Sequence, residues 1–184
     1  MTLTSNKIRV YTNGVVHDGT GAYAYIVLED KDLSTPAVAS SVRIGLSSPS
    51  LLRAKFAQAG KSDSAVRMKM RAAYEGVRHC PDGRAIAIYT DEYLLQGYLD
   101  DEKLSASNND IASKYRTYIV EHKLDVTFLF AETYKKDDFP DNDHDEWTWW
   151  AHSLCEDAIK RRAATKPGIT YEELIQNQLT NKKK

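Results

Sequence analysis

Acidic side chains of the kind that bind metal ions or transfer protons are concentrated in two places along the 184-residue chain. Asp91 and Glu92 directly follow the apolar residues 85–89, and six carboxylates lie within residues 137–146 without a Lys or Arg among them. Hard divalent cations such as Mg²⁺ and Ca²⁺ prefer carboxylate oxygens. Both places are therefore candidates for a cation site, and the second is also a candidate partner-binding surface.

The spacing within residues 137–146 matches a calcium-binding loop only at its start. Such a loop opens with acidic or amide side chains, which occur here at Asp141, Asn142, Asp143 and Asp145. The sixth position requires glycine but is Glu146, and the twelfth normally supplies a glutamate but is His152. We therefore favour a solvated acidic loop in which Asp141, Asp143, Asp145 and Glu146 are candidate partner-binding residues.

Basic residues collect toward the carboxyl end of the chain. Residues 160–184 contain seven Lys or Arg and two Glu, a net charge of +5, whereas the rest of the chain carries −6 and the whole chain −1. This balance excludes a protein that coats nucleic acid through bulk positive charge. Lys160, Arg161 and Arg162 are candidate contacts for phosphates or for the acidic loop, or else belong to a solvated end.

The composition indicates a globular protein, with 42% hydrophobic and 28% charged residues. No apolar run is long enough to span a bilayer, and the first seven residues lack the apolar region of a secretory signal. We therefore expect a cytoplasmic protein without a membrane partner. Cys80 and Cys155 are too few for a disulfide framework or a four-cysteine zinc site, so we expect both to be buried as small apolar side chains.

The hydrophobic pattern predicts the elements that position these residues. Alternating or continuous apolar runs predict strands at residues 7–12, 22–28, 37–46, 85–89 and 126–130. Apolar residues at helical spacing predict helices at residues 63–78, 111–122 and 147–159, with shorter ones near residues 94–98 and 171–179. Trp147 and Trp150 lie on the apolar stripe of the last long helix, so we expect both in the core. The order indicates an antiparallel meander that leads into a mixed sheet with helices.

Four segments resemble, in the same order, motifs of the ribonuclease H family. Residues 11–14, Y-T-N-G, resemble the first-strand motif Y-T-D-G-S, and residues 67–73, R-M-K-M-R-A-A, resemble the helix motif R-M-E-L-x-A. Residues 88–92, I-Y-T-D-E, resemble the fourth-strand motif I-Y-T-D-S. Residues 151–158, A-H-S-L-C-E-D-A, resemble the final-helix motif A-D-x-L-A-x-x-A. The resemblance extends from residue 8 to about residue 159.

This resemblance implies an α/β (α+β) fold of the ribonuclease H-like type. Its mixed five-stranded sheet contains a three-strand antiparallel meander plus parallel strands and is flanked by helices. We expect residues 1–159 to form this domain and residues 160–184 to form a basic C-terminal tail that includes the short predicted helix.

The resemblance also indicates where a catalytic site would lie. The family cleaves the RNA strand of RNA–DNA hybrids with two Mg²⁺ ions, which acidic side chains hold about 4 Å apart. Its four acidic positions fall here on Asn13, Lys69, Asp91 and His152. Asp91 alone keeps a carboxylate and is the one candidate metal ligand among them. Asn13 retains a carbonyl oxygen, whereas the imidazole of His152 is a poor ligand for a hard cation.

Lys69 is the change that bears most directly on function. An ammonium group in a metal site repels the cation and can take its place electrostatically. We expect Lys69 to pair with Asp91, and at about 4 Å such a pair would gain on the order of 4 kcal/mol of Coulomb energy before desolvation is subtracted. The alternative is that Lys69 extends into solvent and contacts nothing.

These observations lead us to expect a catalytically inactive ribonuclease H-like protein without a cofactor. It would act as a binding or regulatory module toward a protein partner, and the acidic loop favours a basic one. One alternative is a nuclease on RNA–DNA hybrid or structured nucleic acid, with Mg²⁺ or Mn²⁺ in a rebuilt site. Its carboxylates would come from Asp91, Glu92, Asp145 and Glu146, and His144 would replace a histidine that many family members carry in this loop.

The other alternative is a non-catalytic nucleic-acid binder that uses the basic tail. A nucleic-acid partner is less favoured because residues 99–103 are acidic, whereas some family members carry a basic, tryptophan-containing helix in the corresponding stretch. Carboxylates in that position repel phosphates.

Overall fold

Six strands and four helices follow one another in the computed structural model, which describes residues 8–30, 41–42, 50–133 and 143–164. The strands are β1 (Ile8–His17), β2 (Thr20–Asp30), β3 (Ser41–Val42), β4 (Ser50–Lys61), β5 (Ala85–Thr90) and β6 (Asp125–Phe130). The helices are α1 (Ala65–Val77), α2 (Leu95–Asp100), α3 (Asn109–Glu121) and α4 (Asp143–Ala163), with a 3₁₀ turn at Ala106–Asn108. The helix predicted at residues 171–179 lies outside the described residues. Within the described ranges, no helix is long and apolar enough to cross a membrane.

The strands form one mixed sheet in the order β3-β4-β2-β1-β5-β6. β1, β2 and β4 pair antiparallel, whereas β5 pairs parallel to both β1 and β6. Asp18 and Gly19 join β1 to β2 in a two-residue turn, and both have the positive φ that a tight hairpin of this twist requires. The predicted meander plus parallel strands is confirmed for the five long strands, and the two-residue β3 adds a short edge beside β4.

The third long strand is β4, not the strand predicted at residues 37–46. Of that predicted strand only Ser41–Val42 is described, and it pairs with the first residues of β4. β4 escaped prediction because a bulge interrupts its alternation: Leu28 lies opposite Leu52 and Val27 opposite Ala54, so Arg53 is an extra residue. Apolar side chains on the two sides of the bulge therefore point to opposite faces of the sheet and do not follow one period-two pattern.

Each face of the sheet is covered by helices. One core lies between the sheet and α1, α2 and α3, and Ile86 and Ile88 of β5 contribute to it. The other lies under α4, and Ala87 and Tyr89 of β5 point into it. Residues 86–89 of β5 are therefore covered on both faces of the sheet. Trp147, 4% exposed, is in the second core as predicted.

The close contact between β1 and the start of α1 determines where the Lys69 backbone lies. A Cβ atom added at Gly14 would lie 2.5 Å from the Lys69 backbone nitrogen and 2.8 Å from the Met68 carbonyl carbon. Such distances are shorter than non-bonded atoms tolerate, and the obstructing atoms are backbone. Glycine at position 14 thus lets the helix approach the strand closely enough to bring Lys69 over the end of the sheet.

An ion pair fixes α1 to α3 on the same side of the sheet. Arg67 donates from its two terminal nitrogens to both carboxylate oxygens of Asp110, over 2.9 and 2.7 Å. Asp110 lies near the start of α3. This bidentate hydrogen bonding lowers the pKa of Asp110 from its ordinary 3.8 to about 2. The pair stabilises the contact between α1, which carries Lys69, and α3.

We predict that Gly14→Ala lowers the free energy of unfolding by about 1–3 kcal/mol, because the added methyl group forces β1 away from α1. Urea denaturation measures this change. Gly60→Ala is the matched control, since a Cβ there meets nothing within 4 Å. We expect the control to change stability by less than about 1 kcal/mol, and an equally small effect at Gly14 would contradict the close approach.

We predict that an NMR titration of Asp110 gives a pKa near 2. Because the pKa of the folded state is lowered, the pair stabilises the fold above the ordinary carboxylate pKa, and this contribution is lost as the pH falls through about 2. Arg67→Met should return the Asp110 pKa toward 3.8. A titration curve that is the same in the variant would show that Arg67 is not its cause.

Candidate functional site

Strand pairing brings the predicted site residues to one edge of the sheet. Tyr11 of β1 lies opposite Tyr89 of β5, so Asn13 and Asp91, each two residues further along these parallel strands, lie at the same level. Thr133 follows the end of the neighbouring β6. Lys69 reaches this edge from the first turns of α1. Because the carboxyl ends of parallel strands meet at one edge, residues distant in sequence form a single cluster.

Lys69 and Asp91 form an ion pair at the centre of this cluster. The Lys69 Nζ atom lies 3.0 Å from Asp91 Oδ1 and 4.0 Å from Glu92 Oε2. The Lys69 side chain is only 14% exposed and that of Asp91 23%. The predicted pair is confirmed, and the alternative of a lysine that extends into solvent is wrong.

Hydrogen bonds extend the pair into a chain that crosses three strands. Thr133 donates from Oγ1 to Asp91 Oδ2 over 3.0 Å, and Asn13 donates from Nδ2 to Thr133 Oγ1 over 3.1 Å. Asp91 Oδ1, by contrast, is buried and accepts no aligned hydrogen bond from the described residues. Its neutralisation by Lys69 is therefore Coulombic. This makes the ammonium group important, because a buried carboxylate oxygen without a counter-charge is costly.

Asn13 presents nitrogen, not oxygen, to the cluster. Its Oδ1 accepts a hydrogen bond from the Gly14 backbone N–H over 2.8 Å, while Nδ2 also faces the Thr148 carbonyl oxygen at 3.4 Å. The reverse orientation would place NH₂ against N–H and carbonyl against carbonyl, so these two backbone groups fix the amide. The carbonyl oxygen that Asn13 could offer to a metal is thus engaged by the Gly14 backbone N–H.

The residues at this edge do not fit a pair of Mg²⁺ ions. Such ions require several oxygen ligands, whereas the cluster presents one ammonium group, one amide NH₂ and two carboxylates. Asp91 is already engaged by Lys69 and Thr133, and Glu92 lies 4.0 Å from the same ammonium group. Among the described residues, no three His, Cys, Asp or Glu side chains come together as a potential metal-binding group. We derive no metal-dependent step for this site.

His152, the fourth predicted position, makes its contact elsewhere. Its Nε2 atom lies 3.7 Å from Glu156 Oε1, one turn further along α4. The same oxygen lies 2.7 Å from Nε2 of His17, at the end of β1. The structure thus places His152 in a small histidine–glutamate cluster. Its separation of four residues from Glu156 on a helix is the sequence signal that could have predicted this pair.

His144 packs in a stack of aromatic rings that the sequence did not reveal. Its ring lies 4.1 Å from that of Tyr89 and nearly parallel to it, and its Nδ1 atom lies 2.8 Å from the Tyr11 hydroxyl. Arg9 donates to that same hydroxyl over 3.0 Å, so the hydroxyl hydrogen is directed to His144 Nδ1. Burial raises the pKa of Tyr11, which keeps the phenol protonated. Through these contacts His144 holds the start of α4 against β1 and β5.

The predicted acidic loop is partly helix, and one of its carboxylates is structural. Asp145 is 6% exposed, and its Oδ1 accepts a hydrogen bond from the Glu132 backbone N–H over 3.0 Å. The expectation that Asp145 is a solvated partner-binding residue is wrong, because this hydrogen bond holds α4 to the segment after β6. Glu146 is half-buried on α4, Asp143 is the first residue of that helix, and Asp141 lies outside the described residues.

The candidate basic residues lie in the last turn of α4. Lys160 and Arg161 are exposed and Arg162 is half-buried. The helix continues to Ala163, past the predicted start of the tail at residue 160, and residues 165–184 lie outside the described residues. Whether residues 1–159 and 160–184 behave as domain and tail therefore remains a prediction.

Both cysteines are buried, as predicted. Burial raises the pKa of Cys80 to about 12 and that of Cys155 as well, so neither thiol ionises readily. Neither is therefore poised as a nucleophile.

Comparison with known proteins identifies the fold. By sequence, the chain matches no protein-family model and no curated protein. By structure, it is similar to the N-terminal RNase H domain of rv2228c from Mycobacterium tuberculosis, with a TM-score of 0.55 and 13% identity over 87% of this chain and 98% of that one.

Two further solved structures have a similar fold. LC11-RNase H1 in complex with an RNA/DNA hybrid, an enzyme isolated from compost, gives a TM-score of 0.55 and 10% identity over 86% of this chain and 99% of that one. The protease–reverse transcriptase of prototype foamy virus gives 0.52 and 11% over 84% of this chain and 21% of that one. The chain has a ribonuclease H-like fold, and identities this low establish the fold alone.

We predict that Lys69→Met lowers the free energy of unfolding by about 1–3 kcal/mol, because it leaves the Asp91 carboxylate buried without a counter-charge. Combining it with Asp91→Asn should recover part of the loss, and a double-mutant cycle measures this coupling. Lys69→Glu should cost more, since it adds a carboxylate beside Asp91 and Glu92.

Lys114→Met on the exposed face of α3 is the control for removing a lysine, and we expect a change within about 0.5 kcal/mol. If Lys69→Glu leaves stability unchanged, the ion pair is not structurally important.

Proposed function

We propose that this chain is a catalytically inactive ribonuclease H-like protein that works as a binding or regulatory module through protein–protein interaction. The observation that supports this most is the Lys69 ammonium group, 3.0 Å from Asp91 and 4.0 Å from Glu92. A cation would have to displace an ammonium group that two carboxylates already attract.

The hydrogen-bond chain supports the same proposal. Thr133 donates its O–H to Asp91, and Asn13 orients that hydroxyl by donating an N–H to its oxygen. This arrangement stabilises a carboxylate without a metal. Metal-assisted hydrolysis instead needs oxygen ligands that leave coordination positions open for water and phosphate. The cluster therefore functions in our proposal as a structural replacement for the metal site.

A rebuilt nuclease site finds less support. Of the carboxylates that could form one, Asp91 is paired with Lys69, and Asp145 accepts the Glu132 backbone N–H in a buried position. Recruiting either to a metal would leave Lys69 or that backbone donor without its partner. Each such loss costs free energy that the metal would have to offset.

Exposed carboxylates and apolar side chains favour a protein partner over nucleic acid. Asp100 at the end of α2 is exposed, as are Asp101 and Glu102 beyond it and Glu132 after β6. These carboxylates repel phosphates. Exposed apolar side chains also occur near this edge, including Tyr93 at 76% and Leu94 at 56%. Tyr93 also stacks on the exposed ring of Phe130, and contiguous apolar surface is typical of protein interfaces.

A non-catalytic nucleic-acid binder is the second candidate. The basic last turn of α4, with Lys160 and Arg161 exposed, supports it. One protein of similar fold, LC11-RNase H1, was solved in complex with an RNA/DNA hybrid. If this candidate is correct, hybrid binding will fall steeply with salt and will be lost when Lys160, Arg161 and Arg162 are replaced by Gln.

We predict no cleavage of a labelled RNA–DNA hybrid by the protein in Mg²⁺ or Mn²⁺, and no rise in its melting temperature on adding either ion. The triple variant Asn13→Asp, Lys69→Glu, His152→Asp restores carboxylates and should melt at a higher temperature with Mn²⁺ than without it, because a metal that binds only the folded state stabilises it. Metal-dependent cleavage by the unaltered protein that Asp91→Asn abolishes would overturn the proposal.

A further inference from the structure

Among the described residues β6 is the last strand at one side of the sheet, and one side of its backbone is unpaired there. The strand pairs with β5 alone, and the Asp125 and Ala131 backbone N–H groups donate to β5-side carbonyl oxygens of Arg84 and Thr90. Because N–H direction alternates along a strand, the N–H and C=O groups of Val126, Phe128 and Phe130 point the other way. No described backbone segment pairs with them. We call these three residues' outward backbone groups the open edge.

The side chains of β6 do not protect this edge. Natural edge strands are commonly blocked by lysine, proline or a bulge, and the six residues of β6 contain no Lys or Pro and pair with β5 in continuous register. Leu129 and Phe130 are 37% and 39% exposed. The Phe130 ring stacks on that of Tyr93, with centroids 3.8 Å apart and planes 3° from parallel. This aromatic pair provides an apolar surface beside the last residue of the open edge.

Carboxylates occur at both ends of the open edge. Asp125 is exposed at its start, where the Asp82 side chain is 74% exposed, and Glu132 is exposed just beyond its end. Glu92 adjoins Tyr93 in the chain and is partly exposed. One basic residue, Lys123, lies just before this strand and is exposed, so the described carboxylates still outnumber it. The potential along the edge is therefore negative on balance, which complements a basic partner.

We propose that β6 binds an extended, basic segment of a partner protein, which adds a strand to the sheet at the open edge. Main-chain hydrogen bonds to Val126, Phe128 and Phe130 would supply affinity. Apolar side chains of the segment would pack on Leu129 on one face of the sheet and on the aromatic pair on the other. Lys or Arg side chains would reach Asp125 and Glu132. This inference rests on the proposed function and names the surface and the partner chemistry for it.

Charge decides between this occupant and two others. A second copy of the chain paired edge to edge would bring carboxylates of both strands together. Nucleic acid would bring phosphates to the same carboxylates. Of the three, only a basic segment is attracted by the charges of Asp125 and Glu132 and also forms main-chain hydrogen bonds with the open edge.

The experiment uses the full chain and two fluorescent ten-residue peptides, one alternating Val with Lys or Arg and one alternating Val with Glu. We expect anisotropy to report binding of the basic peptide only, with slowed hydrogen exchange at the amides of Val126, Phe128 and Phe130. Phe130→Pro removes an outward N–H and the aromatic pair without removing a hydrogen bond to β5, and should weaken binding at least about tenfold.

Two more variants test the role of charge and provide a control for substitution elsewhere on the surface. Asp125→Asn with Glu132→Gln leaves the backbone intact and should weaken binding and flatten its salt dependence. Val120→Thr changes a side chain that is 75% exposed on α3 and should leave binding unchanged.

Each remaining outcome contradicts the inference. Absent binding, equal binding of both peptides, or binding that survives Phe130→Pro would overturn it, as would concentration-dependent dimerisation that protects the same amides. A hybrid-cleavage assay on the same preparation separates the two proposals. Cleavage by the unaltered protein would contradict the proposed function. If the protein neither cleaves the hybrid nor binds the basic peptide, only the docking proposal is contradicted.

Discussion

The 3.0 Å contact between the Lys69 ammonium group and Asp91 joins α1 to the end of β5 across the carboxyl edge of the sheet. It depends on Gly14, because any larger residue there would push the Lys69 backbone away from β1. It also depends on Thr133 and Asn13, which hold the other oxygen of Asp91 through a chain of hydrogen bonds. Helix, strands and the segment after β6 thus converge on one carboxylate.

A carboxylate in this position needs positive charge, and a ribonuclease H-like fold can supply it in two ways. In the ribonuclease H nucleases that the sequence resembles, metal ions do so, and those ions also carry out the chemistry. In our proposal a covalently attached ammonium group, Lys69 Nζ at 3.0 Å from Asp91 Oδ1, provides the charge here. In that case the fold would no longer require metal, and we propose that function resides on the outer surface of the protein.

Much of the fold could be predicted from the sequence, since the apolar periods of α1, α3, β5 and β6 are regular and the four motifs occur in order. β4 could not, because its bulge at Arg53 divides its apolar residues between two faces. The Lys69–Asp91 pair followed from residue type and motif position. The roles of Asp145 and His144 did not, because they arise from contacts with Glu132 and Tyr11 that are remote in sequence.

The most direct test of this account is a Mn²⁺ titration followed by the NMR line widths of backbone amides. A paramagnetic ion bound at the sheet edge would broaden the amides of Asn13, Lys69 and Asp91 before all others. We predict that these amides broaden no more than those beside exposed surface carboxylates such as Asp101. Selective broadening at the sheet edge that Asp91→Asn removes would contradict the claim that Lys69 has replaced the metals.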